Sequence, residues 1–191
     1  MSHKLPDALQ QLIEKASEEV REGQVVDAIL AGGTATWLHL QRTDRQLSEQ
    51  ARYSEDADIQ FNRSLVLPDD LVVSYRDEQG QERYLALDRT YTIDIGLRHP
   101  DYLDNAEFLF ASRNGRIRLY LLGAMDLAVT KVGRFEDHDR QDIELLTRAG
   151  LIDAEAFRQK ATEALDYLAT NPAMIKIHID EAVELIRDAG G

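Results

Sequence analysis

Apolar residues in the first part of the chain follow two different patterns. From residue 5 to about residue 21 they recur every three or four positions, which predicts an amphipathic helix. The short apolar run over residues 25–31 predicts a mostly buried strand, and Gly32-Gly33 ends it. A second helix is predicted to begin at Thr34, so the glycine pair lies between a strand and a helix.

The middle of the chain predicts strands. A polar stretch over residues 42–55 delays the next strand, and within it residues 44–50 can extend or restart a helix. Beyond that stretch, β-branched and apolar runs predict two hairpins, the second of which turns at Asn114-Gly115. The predicted strands cover residues 57–61, 71–75, 83–87, 91–96, 107–112 and 117–121.

From Gly123 onward the apolar period becomes helical, and Pro172 is typical of a first helical turn. The predicted helices cover residues 124–134, 139–149, 153–169 and 172–189. The order of elements predicts an α/β (α+β) fold with a mixed sheet and a C-terminal helical segment. We expect residues 1–122 to form the core, including the N-terminal helix, and residues 123–191 to form a helical segment packed on it.

The most informative positions are acidic residues at the start of a good strand. Residues two apart in a strand face the same side at about 6.6–7 Å, so Asp56 and Asp58 are predicted to project together. Ser54 joins them if the strand begins early enough, and Ile59 and Phe61 face the core. Two carboxylates on one face repel, so the pair needs either a proton on one of them or a bridging cation.

Asp94 adds a third carboxylate, within an otherwise apolar predicted strand where an unpaired charge is costly to bury. Three aspartates supply the oxygen ligands that suit Mg²⁺, and phosphoryl or nucleotidyl transfer uses such sites. Gly32 and Gly33, at a junction between strand and helix, offer backbone N–H groups and a helix dipole to phosphate oxygens.

Each feature also has a simpler structural explanation. A glycine pair is most often only a turn, an Asp-x-Asp pair is common at exposed strand ends, and a lone strand aspartate can pair with an arginine. Lys131 is expected to neutralise phosphate charge because it lies beside a buried helical stripe, whereas Arg134 and Arg140 fit a solvated helix face equally well. The hypothesis of a site is supported by the order in which the features occur. To reject the site, all of the simpler explanations would have to hold at once.

Composition excludes several classes of function. The 35 acidic and 22 basic residues give a formal charge of -13, which works against non-specific capture of nucleic acid. The chain has no cysteine, which excludes disulfides, thiolate metal sites and a cysteine nucleophile. No apolar run approaches the roughly 18 residues that span a bilayer, and the N-terminus lacks the core of a signal peptide. We therefore expect a cytoplasmic protein without a membrane partner.

The order Gly32-Gly33, Asp56-Ala57-Asp58 and Asp94 resembles the nucleotidyltransferase superfamily, which has the polymerase-β-like fold. Three blocks, residues 31–35, 52–59 and 126–143, are similar to uncharacterised bacterial nucleotidyltransferases. Those are grouped near the toxin components of type IV toxin–antitoxin and abortive-infection systems. The resemblance runs from about residue 28 to residue 148. The chain departs from the simplest family pattern in its longer segment between Gly33 and Asp56, and in carrying Gly-Gly where compact antitoxin-type members usually carry Gly-Ser.

The resemblance implies that Asp56, Asp58 and Asp94 are catalytic and bind Mg²⁺ or Mn²⁺. Asp94 would complete the metal site and help to activate the attacking group. In families of this kind two ions about 3.5–4 Å apart serve the acceptor and the triphosphate. Gly32, Gly33 and Thr34 are expected to contact the triphosphate, Lys131 to neutralise its charge, and Ser54 either to touch phosphate or to cap the strand.

The expected function is transfer of a nucleoside monophosphate from a nucleoside triphosphate to an acceptor. The acceptor is an RNA 3′ end, a protein hydroxyl or a small molecule, and a cognate antitoxin or toxin is an expected partner. One alternative is a non-catalytic antitoxin or regulatory binding partner with the same fold. Another is an acidic module that binds metal or mimics nucleic acid. The three acids favour the enzyme.

Overall fold

The structure is a computed structural model, and it describes residues 4–51, 54–77, 79–92, 96–169 and 171–191. Six strands and seven α-helices lie within these ranges, and four of the helices follow the last strand. The predicted α/β class is therefore confirmed. The chain divides into two compact units. Unit 1 contains Met1–Thr34, Tyr53–Tyr91 and Glu107–Leu121, and unit 2 contains Ala35–Arg52, Thr92–Ala106 and Leu122–Gly191.

Unit 1 contains a mixed sheet. Its strands are β1 (Val26–Ala31), β2 (Asp56–Phe61), β3 (Val72–Arg76), β4 (Glu82–Leu87), β5 (Glu107–Ala111) and β6 (Ile117–Leu121). They lie in the order β3-β4-β2-β1-β6-β5. Strand β1 is antiparallel to β2 and parallel to β6, and β2 is parallel to β4. The pairs β3–β4 and β5–β6 are antiparallel, which confirms both predicted hairpins.

The helix α1 (Leu5–Glu18) packs on this sheet. Its apolar stripe, which includes Leu9, Leu12 and Ile13, is fully buried, and each such side chain stabilises the fold by about 1.5–3 kcal/mol. At the edge of the sheet, the Lys15 ammonium donates to the Val72 carbonyl oxygen at 2.9 Å. The helical period of apolar residues that the sequence shows therefore identifies the face of α1 that packs on β3 and β4.

Unit 2 is helical. The α-helices that follow α1 are α2 (Gly32–Thr43), α3 (Arg45–Ser48), α4 (Ala124–Lys131), α5 (Asp137–Arg148), α6 (Ala154–Leu165) and α7 (Ala173–Gly190). The first three residues of α2 belong to unit 1 and its remainder to unit 2. Helix α4 packs on α5 and α6, and α7 packs on the same two helices. None of the helices in the described part of the chain combines the length and apolar character that crossing a bilayer requires.

Several predicted helix boundaries are wrong, and α1 and α6 end at Glu18 and Leu165, before their predicted ends. Helix α2 begins at Gly32 and not at Thr34, so the glycine pair forms the first turn of the helix. Helix α4 ends at Lys131, three residues before the predicted end. Beyond that end, Gly133 packs closely on the Leu97 backbone and Phe135 takes a positive φ of 57°, which is unfavourable for a residue with a side chain.

Some predictions concern residues outside the described ranges. Residues 93–95 are among these, so a strand there stays a prediction. Tyr91, Thr92 and Gly96, which the predicted strand 91–96 also included, are not in a strand. Residues 52–53, which carry part of the stated resemblance, are also outside. The predicted division into residues 1–122 and 123–191 likewise stays a prediction.

Candidate functional site

The paired aspartates lie where β2 passes the end of β1. Antiparallel pairing places Asp58 opposite Ala31, which is the last residue of β1. Asp56 lies two residues earlier in β2, beyond the end of β1. Ala57 and Ile59 are buried, whereas Asp56 is exposed and Asp58 is half-buried. The alternation expected of a strand therefore holds over residues 56–59, so the two carboxylates share one face, whereas Phe61, which was expected to face the core, is only half-buried.

Gly32 is the position at which the site most clearly requires glycine. Its φ of +64° lies in the left-handed region, and a Cβ placed there would lie 1.6 Å from Oδ2 of Asp58. The Asp58 carboxylate therefore occupies the space that a side chain at position 32 would need. It lies against the first turn of α2, where the helix dipole favours negative charge. Gly33 is close to Ser54, whose Cβ would lie 3.3 Å from a Cβ at position 33.

Two hydroxyl groups hold the backbone of Asp56. The Thr34 Oγ1 donates to the Asp56 carbonyl oxygen at 2.9 Å, and Ser54 Oγ donates to the same oxygen at 3.0 Å. The Asp56 N–H in turn donates to Ser54 Oγ at 3.3 Å. Thr34 is buried, with 1% of its surface exposed. Six of the predicted site residues thus come together in unit 1, namely Gly32, Gly33, Thr34, Ser54, Asp56 and Asp58. Their contact with a triphosphate stays a prediction.

The third predicted carboxylate, Asp94, lies outside the described residues. Across the residues that the structure does describe, no group of three or more acidic or histidine side chains is placed to hold a metal ion. The donor chemistry of Asp56 and Asp58 nevertheless fits Mg²⁺, which commonly takes one or two carboxylates and completes its octahedron with water and phosphate oxygens. Metal binding by Asp56, Asp58 and Asp94 stays a prediction.

Asp88 is an acidic residue near the site that the sequence pattern did not indicate. It directly follows β4, and its N–H donates to the Ala57 carbonyl oxygen of β2 at 3.1 Å. Its Oδ1 accepts from the Thr90 N–H at 2.7 Å and from the Tyr91 N–H at 3.2 Å. The carboxylate thus caps the turn after β4, which is a common structural role for aspartate.

Lys131 lies in unit 2 and is buried, with 7% of its surface exposed. Its Nζ donates to Oδ2 of Asp142 at 2.5 Å and lies 3.7 Å from Oδ1 of Asp139. Thr36 Oγ1 also donates to Oδ2 of Asp142, at 3.3 Å. Two carboxylates therefore balance the ammonium charge. Asp142 was not predicted as the partner of Lys131, and phosphate neutralisation by Lys131 stays a prediction.

Arg134 and Arg140, for which the sequence favoured neither a phosphate-binding role nor a solvated helix face, also make ion pairs. Arg134 donates from Nε and Nη2 to both carboxylate oxygens of Asp139, at 3.0 and 3.1 Å. Arg140 donates to Oε2 of Glu181 at 2.6 Å, and its guanidinium lies 3.9 Å from the centre of the Phe135 ring. Each cation thus contributes to the packing around α5.

The charge state of Asp139 follows from these neighbours. Burial raises the pKa of its carboxyl, but the Arg134 hydrogen bonds and the positive charges of Lys131 and Arg134 lower it. The backbone N–H of Glu136 also donates to Asp139, as part of the capping box that begins α5. The net effect is a pKa below the usual value for aspartate. The ionised form therefore stabilises the folded state.

A family model described as "Nucleotidyltransferase of unknown function" (DUF6036) matches residues 7–179. The match spans the glycine pair, the paired aspartates, Asp94 and the helices α4 and α5. No curated protein and no solved structure matches the chain. The resemblance to toxin components is not confirmed by the match.

We predict that Gly32→Ala destabilises the protein more than Gly115→Ala. Gly115 has a similar φ of +69° but no atom within 4 Å of an added Cβ. Both substitutions place alanine in the left-handed region, at a cost of about 1–2 kcal/mol. Only Gly32→Ala also forces the Asp58 carboxylate away, which adds about 1–3 kcal/mol of overpacking. Urea denaturation measures the difference in the free energy of unfolding.

The same experiment in an Asp58→Ala background provides the control. Without the carboxylate, Gly32→Ala is expected to cost less than in the otherwise unchanged chain, because only the 2.9 Å approach to the Cβ of residue 58 remains. Equal costs of the two glycine substitutions in the otherwise unchanged chain would contradict the close approach of Asp58 to Gly32.

We predict that the stability contributed by Asp139 is lost in acid. Because its folded pKa is lowered, its contribution is fully present above the unfolded pKa of about 3.9 and is lost as the pH falls through the folded pKa. The difference in the free energy of unfolding between the wild type and Asp139→Asn should be constant from pH 5 to 8 and shrink below about pH 4. Asp137→Asn, which changes an exposed aspartate in the same turn, is the control. If the difference in the free energy of unfolding between the wild type and Asp139→Asn does not shrink in acid, the ion pairs of Asp139 are not the source of that difference.

Proposed function

The chain belongs to the family of nucleotidyltransferases of unknown function, and on that premise we propose that it is a metal-dependent enzyme. It transfers a nucleoside monophosphate from a nucleoside triphosphate to an acceptor hydroxyl. The observation that carries the proposal is the packing of Asp58 against Gly32, which joins the paired aspartates of β2 to the first turn of α2. The proposal is supported because a pair of carboxylates, whose chemistry suits Mg²⁺, lies beside a helix N-terminus, whose dipole suits phosphate.

The proposed roles of Asp56 and Asp58 follow from their positions, and that of Asp94 follows from the resemblance. Asp56 and Asp58, with Asp94, would hold Mg²⁺ or Mn²⁺. Such an ion neutralises phosphate charge and makes an acceptor hydroxyl more acidic. The first turn of α2 would receive phosphate oxygens, since the helix dipole places partial positive charge at a helix N-terminus. Gly33 has no side chain, so a phosphate can approach its backbone closely, whereas at Gly32 the Asp58 carboxylate takes the space of a side chain.

In the proposed reaction, the acceptor hydroxyl oxygen forms a bond to the α-phosphorus. The bond from that phosphorus to the oxygen that bridges to the β-phosphate breaks, and pyrophosphate leaves with the electron pair. The hydroxyl proton passes to a carboxylate, for which Asp94 is the proposed acceptor. The acceptor molecule is unidentified, and an RNA 3′ end, a protein hydroxyl and a small molecule all supply the hydroxyl that the reaction needs. The net charge of -13 disfavours a large RNA-binding face.

A role as the toxin of a toxin–antitoxin pair is a further part of the proposal. Its support is the resemblance of residues 52–59 and 126–143 to bacterial nucleotidyltransferases near the toxin group. We expect that expression of the chain alone slows growth of a bacterial host and that expression of Asp56→Ala does not. Equal growth of the two cultures would contradict the toxin role and leave the transferase proposal unchanged.

We predict that the protein binds a nucleoside triphosphate only together with Mg²⁺ or Mn²⁺. Isothermal titration with each nucleoside triphosphate measures this binding. Asp56→Asn and Asp58→Asn should each weaken it at least about tenfold, because even the outer-shell partners of metal ligands are worth 10–100-fold. Asp70→Asn is the matched control, since it removes the same charge from an exposed position in the same unit.

Three outcomes would change the proposal. If the wild type binds no triphosphate, the proposed activity is wrong. If it binds but Asp56→Asn and Asp58→Asn bind equally well, the site lies elsewhere in the chain. If binding requires both aspartates but label from an α-phosphate is never transferred to acceptors in a cell extract, the chain is a nucleotide-binding partner and not an enzyme.

A further inference from the structure

The backbone of Asp56 lies at a place where the sheet is incomplete. On the β4 side of β2, the Ala86 N–H donates to the Glu55 carbonyl oxygen at 2.7 Å, and the Asp88 N–H donates to that of Ala57 at 3.1 Å. Successive carbonyl groups of a strand point to opposite sides, so the Asp56 carbonyl points toward the β1 side. However, β1 ends at the residue paired with Asp58. No residue of β1 therefore pairs with Asp56.

Two side-chain hydroxyls take the place of that missing strand. Thr34 and Ser54 both donate to the Asp56 carbonyl oxygen, at 2.9 and 3.0 Å. Thr34 lies in the first turn of α2, which is the direct continuation of β1. Helix α2 thus supplies a hydrogen-bond donor to the carbonyl group that β1 would have bonded if the strand had continued. A backbone carbonyl left without a partner costs free energy, so this arrangement stabilises the end of β2.

We infer that Thr34 and Ser54 are positioning residues, which hold Asp56 in place for metal binding, and that Thr34 affects the triphosphate through Asp56 and not by direct contact. This inference rests on the proposed function. Thr34 is 1% exposed, so it has almost no surface to offer to a nucleotide. Its hydroxyl already donates a hydrogen bond to the Asp56 carbonyl oxygen.

The two aspartates are consequently held by different means. Asp58 is held by its pairing with Ala31 and by its packing against Gly32. Asp56 is exposed and lies beyond the end of β1, so the hydroxyls restrain its backbone on that side. A carboxylate on a restrained backbone loses less conformational entropy when it binds an ion. Removal of the Thr34 hydroxyl should therefore weaken metal-dependent binding and leave the carboxylate itself intact.

The first test uses the ligand-free protein. The ¹³C chemical shift of the Asp56 carbonyl, measured by NMR, should move upfield in Thr34→Val, which keeps the side-chain shape and removes the hydroxyl. Thr34→Ser should restore the wild-type shift. The control is Thr43→Val, since Thr43 lies in the same helix and donates to the His39 carbonyl oxygen. An Asp56 shift that is unchanged in Thr34→Val would overturn the inference, whether or not the protein binds nucleotides.

The second test is a double-mutant cycle on the binding of a nucleoside triphosphate with Mn²⁺. In the otherwise unchanged chain, Thr34→Val should weaken binding roughly two- to tenfold, which is the usual worth of one hydrogen bond. In an Asp56→Asn background it should cause no further loss, because residues that act through one another are not additive. An additive loss would show that Thr34 acts on phosphate itself, which overturns the inference and leaves the proposed function intact.

The two proposals fail in distinguishable ways. If the wild type binds no triphosphate, the proposed function is wrong, and the carbonyl shift still decides whether Thr34 holds Asp56. If the wild type binds and Asp56→Asn weakens binding, but Thr34→Val binds as the wild type does, the proposed function stands and the positioning role is wrong.

Discussion

The packing of the Asp58 carboxylate against Gly32 is the constraint on which the site depends. The carboxylate fills the space where a side chain at position 32 would begin. The register that pairs Ala31 with Asp58 and the glycine that follows Ala31 therefore require each other. A shift of β2 by one residue would turn both aspartates toward the buried face and bring Ala57 to the surface. The buried positions of Ala57 and Ile59 prevent that shift.

The end of β1 explains why several features lie at one place. The strand stops at Ala31, and the chain turns at once into α2 through the positive φ of Gly32. That change brings the start of a helix beside β2, together with its dipole and backbone N–H groups. It also removes the strand partner of Asp56, whose carbonyl then takes the hydroxyls of Thr34 and Ser54. A single change from strand to helix thus shapes the surroundings of both aspartates.

The charges of unit 2 show a different physical constraint. A lysine as buried as Lys131 is tolerated only when its charge is paired, and Asp142 and Asp139 provide that pairing. Removing one partner would leave a buried charge unbalanced. A phosphate group that approached Lys131 would have to compete with these carboxylates or share the ammonium with them. The burial that made Lys131 a candidate from sequence is thus also the reason for its internal ion pairs.

The sequence by itself determined the elements, their order and the face shared by Asp56 and Asp58, because helical and strand periods are local properties of the chain. It also carried the family relationship and the identity of Asp94 as a candidate. Only the tertiary structure decided that Gly32 lies beneath Asp58, that Thr34 holds Asp56, and that Lys131 pairs with Asp142. Each of these contacts joins residues from separate elements, and their distances depend on how strands and helices pack, which no local period contains.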